Sequence, residues 1–594
     1  MSTARQVDIR SLIDAAEGVR KADLVLAGGR LVNVMTGEVY FADVAVAGER
    51  IAAIGDVEPH TGPDTEVVDV TGLHLVPGLI DGHIHIECSK LSPTMFADAV
   101  VRFGTTSVVS ALDQIYVVAG LNGIRDAFEE LEQTPLKVFW AAPFKVPYTV
   151  PESNVGFRFG PQEHRLVQAW PECFGVWETV SEFVLNRDPD ILDALEQARA
   201  NRLPVFGCAP MARGTTLSAL VAAGIRLDHE SYSPEEALEK LRNGMFVIIR
   251  ESSVAHFFEE NIKLITEMGV EPSRIAFCTD DVTATDILAN GHLDRLVRMA
   301  VGAGVEPVTA IQMATINCAQ MYRIDHLVGS LSPGRYADVV LVDDPASFQV
   351  QGVVSKGRFA VRNGDLRDRA AAPVRSRSFT DGFKLDRVPP ADLRLVVAAN
   401  EARVRVLAME MDPRVPFIRR RRDIELSVAN GIVQPDPEKD AIFVTVVERY
   451  GLTNNRPVAV VSGFGLRSGA LATSAAPDDN NIVCVGATPD DMAVAVNHLI
   501  DNGGGQVVVD EGEVLDFLHL PLGGIMADLW PEDMAAAETG LDQAARRLGC
   551  KLPSPFGFLM FLSITAIPDY AITDLGLVDT IRQSVVDPIL EPVT

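Results

Sequence analysis

Cysteine is scarce in this chain. Seven cysteines (88, 173, 208, 278, 318, 484 and 550) are scattered over 594 residues, the number is odd, and no Cys-x-x-Cys pair occurs. A disulfide frame is therefore not expected; the pattern fits a reducing compartment, with thiols as core residues or ligands. Long apolar runs are missing too: none approaches the roughly 18 residues that span a bilayer. The opening "MSTARQVDIRSLIDAAEGVRKADLVLAGG" is mixed and amphipathic, so no signal peptide and a cytoplasmic location are expected. Positive charge is in short supply, with 52 Lys and Arg against 81 Asp and Glu, a net charge of −29 and a pI near 4.8. Such a surface repels phosphate backbones and anionic lipid, which argues against nucleic-acid and membrane partners. The Gly-x-Gly-x-x-Gly phosphate turn of dinucleotide-binding sheets is absent as well. "LAGGRLV" has the wrong spacing and runs into a strand pattern, and Gly503-Gly504-Gly505 is not followed by Lys-Ser/Thr, so it reads as a tight turn.

What the chain has is size and alternation. Hydrophobic residues make up 47%, enough for large cores, and at about 150 residues per domain the length suggests three or four domains. Residues 23–70 read as short strands with tight turns, "ADLVLAGGRLVNV", "ADVAVAGERIAAIG" and "TEVVDVTGLHLVPG", an antiparallel unit by their punctuation. Similar text returns at 329–364. The two segments are expected to build one small β domain, over 1–75 and 326–385.

Between them, over 76–325, eight apolar runs alternate with helical patterns: "GLIDGHIHI", "GTTSVVSA", "LKVFWAAP", "CFGVWETV", "LPVFGCAP", "GIRLDHES", "MFVIIRES" and "RIAFCTDD". Stretches such as "DILDALEQARANR" and "SPEEALEKLRNG" have helical spacing, the latter with a Ser-Pro-Glu-Glu start. Eight strands alternating with helices over about 250 residues predict an α/β fold, a (β/α)8 TIM-type barrel. Residues 366–390, rich in Arg, Asp, Ala and Pro, read as a linker, and 386–594 as a further α/β domain.

In a barrel, chemistry gathers at the C-terminal ends of the strands. His83 and His85 end the first run, Glu178 lies in the fourth, Cys208 in the fifth, His229 at the end of the sixth, and Asp280 and Asp281 after the eighth. In a strand, residues two apart face the same way, so His83 and His85 can share a metal. Imidazole with carboxylate suits Zn, Fe or Mn. Glu230, Ser231, Arg250 and Glu251 also fall at strand ends, as candidates for shaping a pocket or for supporting roles. His60, His74, His164, His256, His292, His326, His498 and His519 read as structural.

On these residues the chain resembles the amidohydrolase superfamily and, within it, the bacterial adenine deaminases. The resemblance rests on "PGLIDGHIHIECSKLSP", "IRLDHESYSPEEALEKLRNGMFVIIRESS", "FCTDD", "ILANGHLDRLVRMAVGAGVEPVTAIQMATINCAQ" and "GSLSPGRYADVVLVDD". It continues in the C-terminal third with "NNIVCVGATPDDMAVAVNHLIDNGGGQVVV" and "LPLGGIMAD". It implies a metal-dependent hydrolase with one or two divalent ions (Mn, Fe or Zn), a heterocyclic small-molecule substrate, and a homodimer or higher homo-oligomer. His83 and His85 would bind the first metal, Glu178 would bridge and His229 would bind the second. Asp280 would bind metal and handle the proton of the attacking hydroxide. Asp280 and Glu178 are thus the catalytic candidates.

Four stretches depart from the family pattern. "GCAP" puts Cys208 where the family has histidine, so a second metal binds through the thiolate, binds weakly or is absent. "ALDQI" puts Asp113 and Gln114 where the family has His and Glu. "PFKVP" places Lys145 near the barrel mouth, either pairing with a substrate anion or as a snorkelling surface residue. "AAPDDNN", 475–481, has lost both histidines of the family motif. The candidate substrate contacts are accordingly Asp281, Glu230, Lys145, Gln114, Asp113 and Arg250. Adenine deamination, hydrolysis of another and possibly anionic cyclic amide or amidine, and a non-catalytic relative are the three readings left open.

Overall fold

The computed structural model describes residues 8–367, 379, 383–397, 402–412, 415 and 418–593. Most of the linker expected over 366–390 lies outside them.

Eight parallel strands form one sheet in chain order: β1 (Leu79–Asp81), β2 (Thr105–Ser110), β3 (Lys137–Ala142), β4 (Cys173–Val180), β5 (Val205–Cys208), β6 (Ile225–Asp228), β7 (Phe246–Arg250) and β8 (Ile275–Cys278). All but a few of their residues are buried. Parallel strands covered by helices on the outside and packed within lose both faces to the core, so they read as apolar runs and not as alternation. The predicted barrel is the observed one. The helices between strands start where the sequence places caps. At Pro234–Arg242, Ser233 Oγ accepts from the Glu236 N–H, acids fill the first turn and bases the last, which complements the helix dipole.

The barrel closes between β1 and β8. The Gly82 N–H donates to the Phe277 carbonyl (3.2 Å), the Asp280 N–H to the His83 carbonyl (2.9 Å), and the His85 N–H to the Asp280 carbonyl (3.4 Å). A side chain at Gly82 would stand 3.1 Å from the Phe277 carbonyl oxygen, a tight contact, so this approach favours glycine.

Strands from both flanks share one seven-stranded sheet, in which Val339–Val342 pairs with His74–Pro77. A second, four-stranded sheet is made by residues 24–27, 43–47, 50–55 and 66–69. The antiparallel expectation needs correction. Leu24–Ala27 runs parallel to Glu66–Asp69, and Arg30–Asn33 parallel to His74–Pro77, because a long excursion separates each pair.

The C-terminal region holds a ten-stranded mixed sheet and a three-stranded one. Its helices Pro489–Asn502 and Pro531–Arg547 lie where the sequence placed them, and Gly503, Gly504 and Gly505 all have positive φ, as a tight turn requires. Among the described residues no helix is long and apolar enough to cross a membrane.

Candidate active site

The strand ends deliver the predicted cluster. Glu178 comes from within β4 and Cys208 from the last position of β5, while His229 follows β6 and Asp280 follows β8. His83 and His85 lie past the end of β1, in the segment that closes the barrel. Two aspartates fix this backbone. Asp81 accepts from the His83 N–H (3.1 Å) and from the Thr279 hydroxyl (2.6 Å). Asp228 accepts from the Ala209 and Glu230 N–H groups (2.7 and 3.0 Å) and from Lys240 Nζ (2.7 Å). Each precedes a candidate ligand by one or two residues, a spacing that sequence reasoning passed over.

Around this frame the ligand atoms converge. One atom each of His83, His85 and Glu178 lies within 4.8 Å of the others; the same holds for His83, His229 and Asp280, for Glu178, Cys208 and His229, and for His85, Asp280 and Asp281. His85 Nε2 is 3.3 Å from Glu178 Oε2 and 3.6 Å from Asp280 Oδ1. His229 Nε2 is 3.5 Å from Glu178 Oε1, and His83 Nε2 is 3.7 Å from Asp280 Oδ1. The His83 ring stacks on Trp177 (4.2 Å) and on His229 (3.7 Å).

Both ring nitrogens of His83 and of His229 are buried without a hydrogen-bond partner. Buried imidazole nitrogens are ordinarily satisfied, so the two Nε2 atoms, His83 facing Asp280 and His229 facing Glu178, fit a divalent cation. Charge says the same. Glu178, Glu230, Asp280, Asp281 and Asp478 line the adjoining cavity, with Arg250 and His85 as its only basic groups among the described residues. Carboxyl groups outnumber basic groups on this wall even with Asp478 set aside, an excess that a bound cation would offset.

The electrostatics follow this crowding. Burial opposes charge on Glu178, yet His229 and His85 hold its carboxyl well below the usual range. Burial likewise opposes charge on His229, but Glu178 and Asp280 push it up to about 9. Burial drives His83 well below the ordinary imidazole range, helped by His229. Burial raises the Cys208 thiol, and Glu178 adds to it. Arg250 Nη1 donates to both Glu230 and Asp280, which clamps the two carboxylates side by side.

The other candidates fall into two groups. Gln114, Glu230, Arg250 and Asp281 line the cavity. Asp113 stands behind it, fully buried, with Oδ1 3.1 Å from His85 Nδ1. Ser231 bonds Asp228, and Glu251 is taken by His256 and Arg295. Lys145 needs correction. Its ammonium is held by Glu152 and Asp188, each at 2.9 Å, and it is not on the cavity wall. The strand-end position brought it to the barrel mouth, and two loop acids captured it there.

The sequence reading missed the roof. Phe561, Ile564 and Ile567 from the C-terminal region cover the cavity, with Tyr148 and Tyr232 from the barrel. Pro477 and Asp478, inside the stretch that lost its histidines, also reach it. Burial raises the Asp478 carboxyl well above the ordinary range, with Glu178 and Asp113 adding to it.

The comparisons agree with this composition. Residues 74–360 match the amidohydrolase family, and residues 416–584 match the adenine deaminase C-terminal domain. The chain is 54% identical to adenine deaminase 4 of Rhizobium meliloti over 98% of its own length and 97% of that protein's. It is 56% identical to adenine deaminase 1 of Desulfotalea psychrophila over 98% of both chains, and 47% identical to adenine deaminase 1 of Latilactobacillus sakei over 99% of both. With a barrel centre of this kind beneath a C-terminal roof, and relatives matched end to end, the chain belongs to the adenine deaminase family of amidohydrolases.

Proposed function

We propose that this chain hydrolyses adenine to hypoxanthine and ammonia at a divalent-metal centre held by His83, His85, Glu178, Cys208, His229 and Asp280. The observation that carries the metal is the pair of buried imidazoles, His83 and His229, whose Nε2 atoms make no protein hydrogen bond while facing Asp280 and Glu178. End-to-end identity to adenine deaminases supports the substrate.

Water must add to C6 of the purine ring and the amine must leave. A bound divalent ion supplies hydroxide at neutral pH by lowering the pKa of its water toward about 7. Asp280, with one oxygen held by Arg250 and the other turned toward His83 and His85, accepts the proton of the nucleophile. Glu230 and Asp281 are the barrel carboxyls on the cavity wall not assigned to the metal, available to return a proton to the departing amine. Phe561, Ile564 and Ile567 cover the flat ring and exclude water. The acidic lining suits a neutral heterocycle: Lys145 is tied to Glu152 and Asp188, and Arg250, the guanidinium on the wall, is paired with Glu230 and Asp280. Thiolate at 208 favours zinc over manganese at the second position.

The test is ammonia and hypoxanthine formation from adenine, using protein loaded separately with Zn2+ and Mn2+ and its metal content counted in the same sample. Equimolar ammonia and hypoxanthine is the expected result. Stoichiometric metal without either product would overturn adenine as the substrate.

A further inference from the structure

A continuous line of hydrogen bonds runs from the C-terminal region into the candidate centre. Asn480 Nδ2 donates to Gln114 Oε1 at 2.5 Å. Gln114 Nε2 donates to Asp113 Oδ2 at 3.0 Å. The other oxygen, Asp113 Oδ1, lies 3.1 Å from His85 Nδ1. His85 then presents Nε2 to Glu178 and Asp280. Each link fixes the next. With Gln114 on one oxygen and His85 Nδ1 on the other, Asp113 is placed to hold the His85 ring and to favour its proton on Nδ1. That leaves the Nε2 lone pair free for a cation.

The far end is held as firmly. Asn480 Oδ1 accepts from the Ala476 N–H and the Asn480 N–H donates to the Ala476 carbonyl. The Tyr450 hydroxyl bonds the Asp479 carbonyl, and Asn481 Nδ2 the Asn154 carbonyl. Asp113, Gln114, Asn480 and Asn481 are all buried. All four lie in the two stretches, 111–115 and 475–481, that depart from the family pattern in sequence. The structure joins them into one hydrogen-bonded unit.

We propose that Asn480, Gln114 and Asp113 are positioning residues through which the C-terminal domain sets the tautomer and orientation of His85, and hence the affinity of the centre for metal. The inference rests on the metal centre proposed above but not on adenine as its substrate. Partners one layer behind a metal-binding histidine commonly govern affinity by about 10- to 100-fold.

The experiment uses full-length protein freed of metal by a chelator. Zinc affinity is measured by competition with a chromogenic chelator, and the visible bands of the Co2+-loaded form report ligand geometry. Asp113→Ala, Gln114→Ala and Asn480→Ala are each expected to weaken zinc at least tenfold and to alter the cobalt bands, while the metal-free forms stay folded at the temperature of the measurement. The Gln114→Ala/Asn480→Ala double variant should be no weaker than the worse single one, because one chain is cut twice. If Asn480→Ala melts early, Gln114→Met cuts the same chain from the barrel side and carries the same expectation. Zinc affinity within twofold of the unaltered protein, or additive losses in the double variant, would overturn the proposal. Failure of the unaltered protein to deaminate adenine would strike the substrate assignment and leave this result standing.

Discussion

Cys208 is a soft donor among hard ones. A thiolate binds zinc in preference to manganese, whereas imidazole and carboxylate discriminate less. Cys208 lies with Glu178 and His229 and apart from His83, so its replacement should disturb one metal position and spare the other. Cys208→Ser is expected to lower zinc retention after dialysis from two ions toward one, measured by elemental analysis. Cys208→His should restore the count and improve retention of manganese. Equal zinc content in all three proteins would show that the thiol is not a ligand. At this scale the convergence of the candidate ligands was legible in sequence, because each is a polar residue in or just after an apolar run. Asp478 and Asn480 were not legible as parts of the site. They meet Glu178 and Gln114 only through tertiary folding, and no spacing marks such a meeting.

The roof over the cavity is a short element, residues 555–567, with few backbone partners of its own. Arg419 supplies them. Fully buried, its guanidinium donates to the carbonyls of Phe561, Ile564, Ile567 and Tyr570. Arg419→Met would strand several buried carbonyls at a cost of about 1–3 kcal/mol each. A lower melting temperature and a KM for adenine raised more than kcat is lowered are expected. An unchanged KM would show that the roof does not hold the substrate. The helix Pro531–Arg547 shows the same sensitivity to burial. Burial pushes the Asp542 carboxyl up to about 6, with Glu538 adding and Arg546 opposing. The folded protein therefore holds this proton more tightly than the unfolded chain. Stability is lost as pH rises from about 4 through 6, and the full penalty persists above that. Asp542→Asn should raise stability by about 1–2 kcal/mol at pH 8, after discount for partial exposure, and by nothing near pH 4. Thermal melts at the two pH values check it.

Over the whole molecule, candidate ligands from β4, β5, β6 and the β1–β8 junction meet at one point. An ion bound there ties most of the barrel's circumference together and neutralises part of a wall with five carboxyl groups. At a free metal concentration about 1,000 times Kd it stabilises the fold by about 4 kcal/mol. Chelator treatment should lower the melting temperature by several degrees, reversed by Zn2+; an unchanged melt would mean that the centre binds weakly. The barrel was readable from eight apolar runs because a sheet buried on both faces leaves that signature. The parallel pairings in the flanking sheets were not, since strand direction depends on what lies between two strands. Lys145 illustrates a limit of another kind. Its place at a strand end was readable, but Glu152 and Asp188 had to be brought to it by loops before its ion pairs could be known.

The closing seam of the barrel has a consequence in time. His83 and Asp280 share a backbone hydrogen bond across that seam, so the contact that completes the cylinder also completes the ligand set. During synthesis at about 5–20 residues per second, the ribosome needs on the order of tens of seconds to pass from one to the other. Throughout that interval the growing chain carries two histidines with no carboxylate from β8 beside them. Metal uptake is therefore a late event, and a ribosome stalled before residue 280 should display a nascent chain that cannot retain zinc.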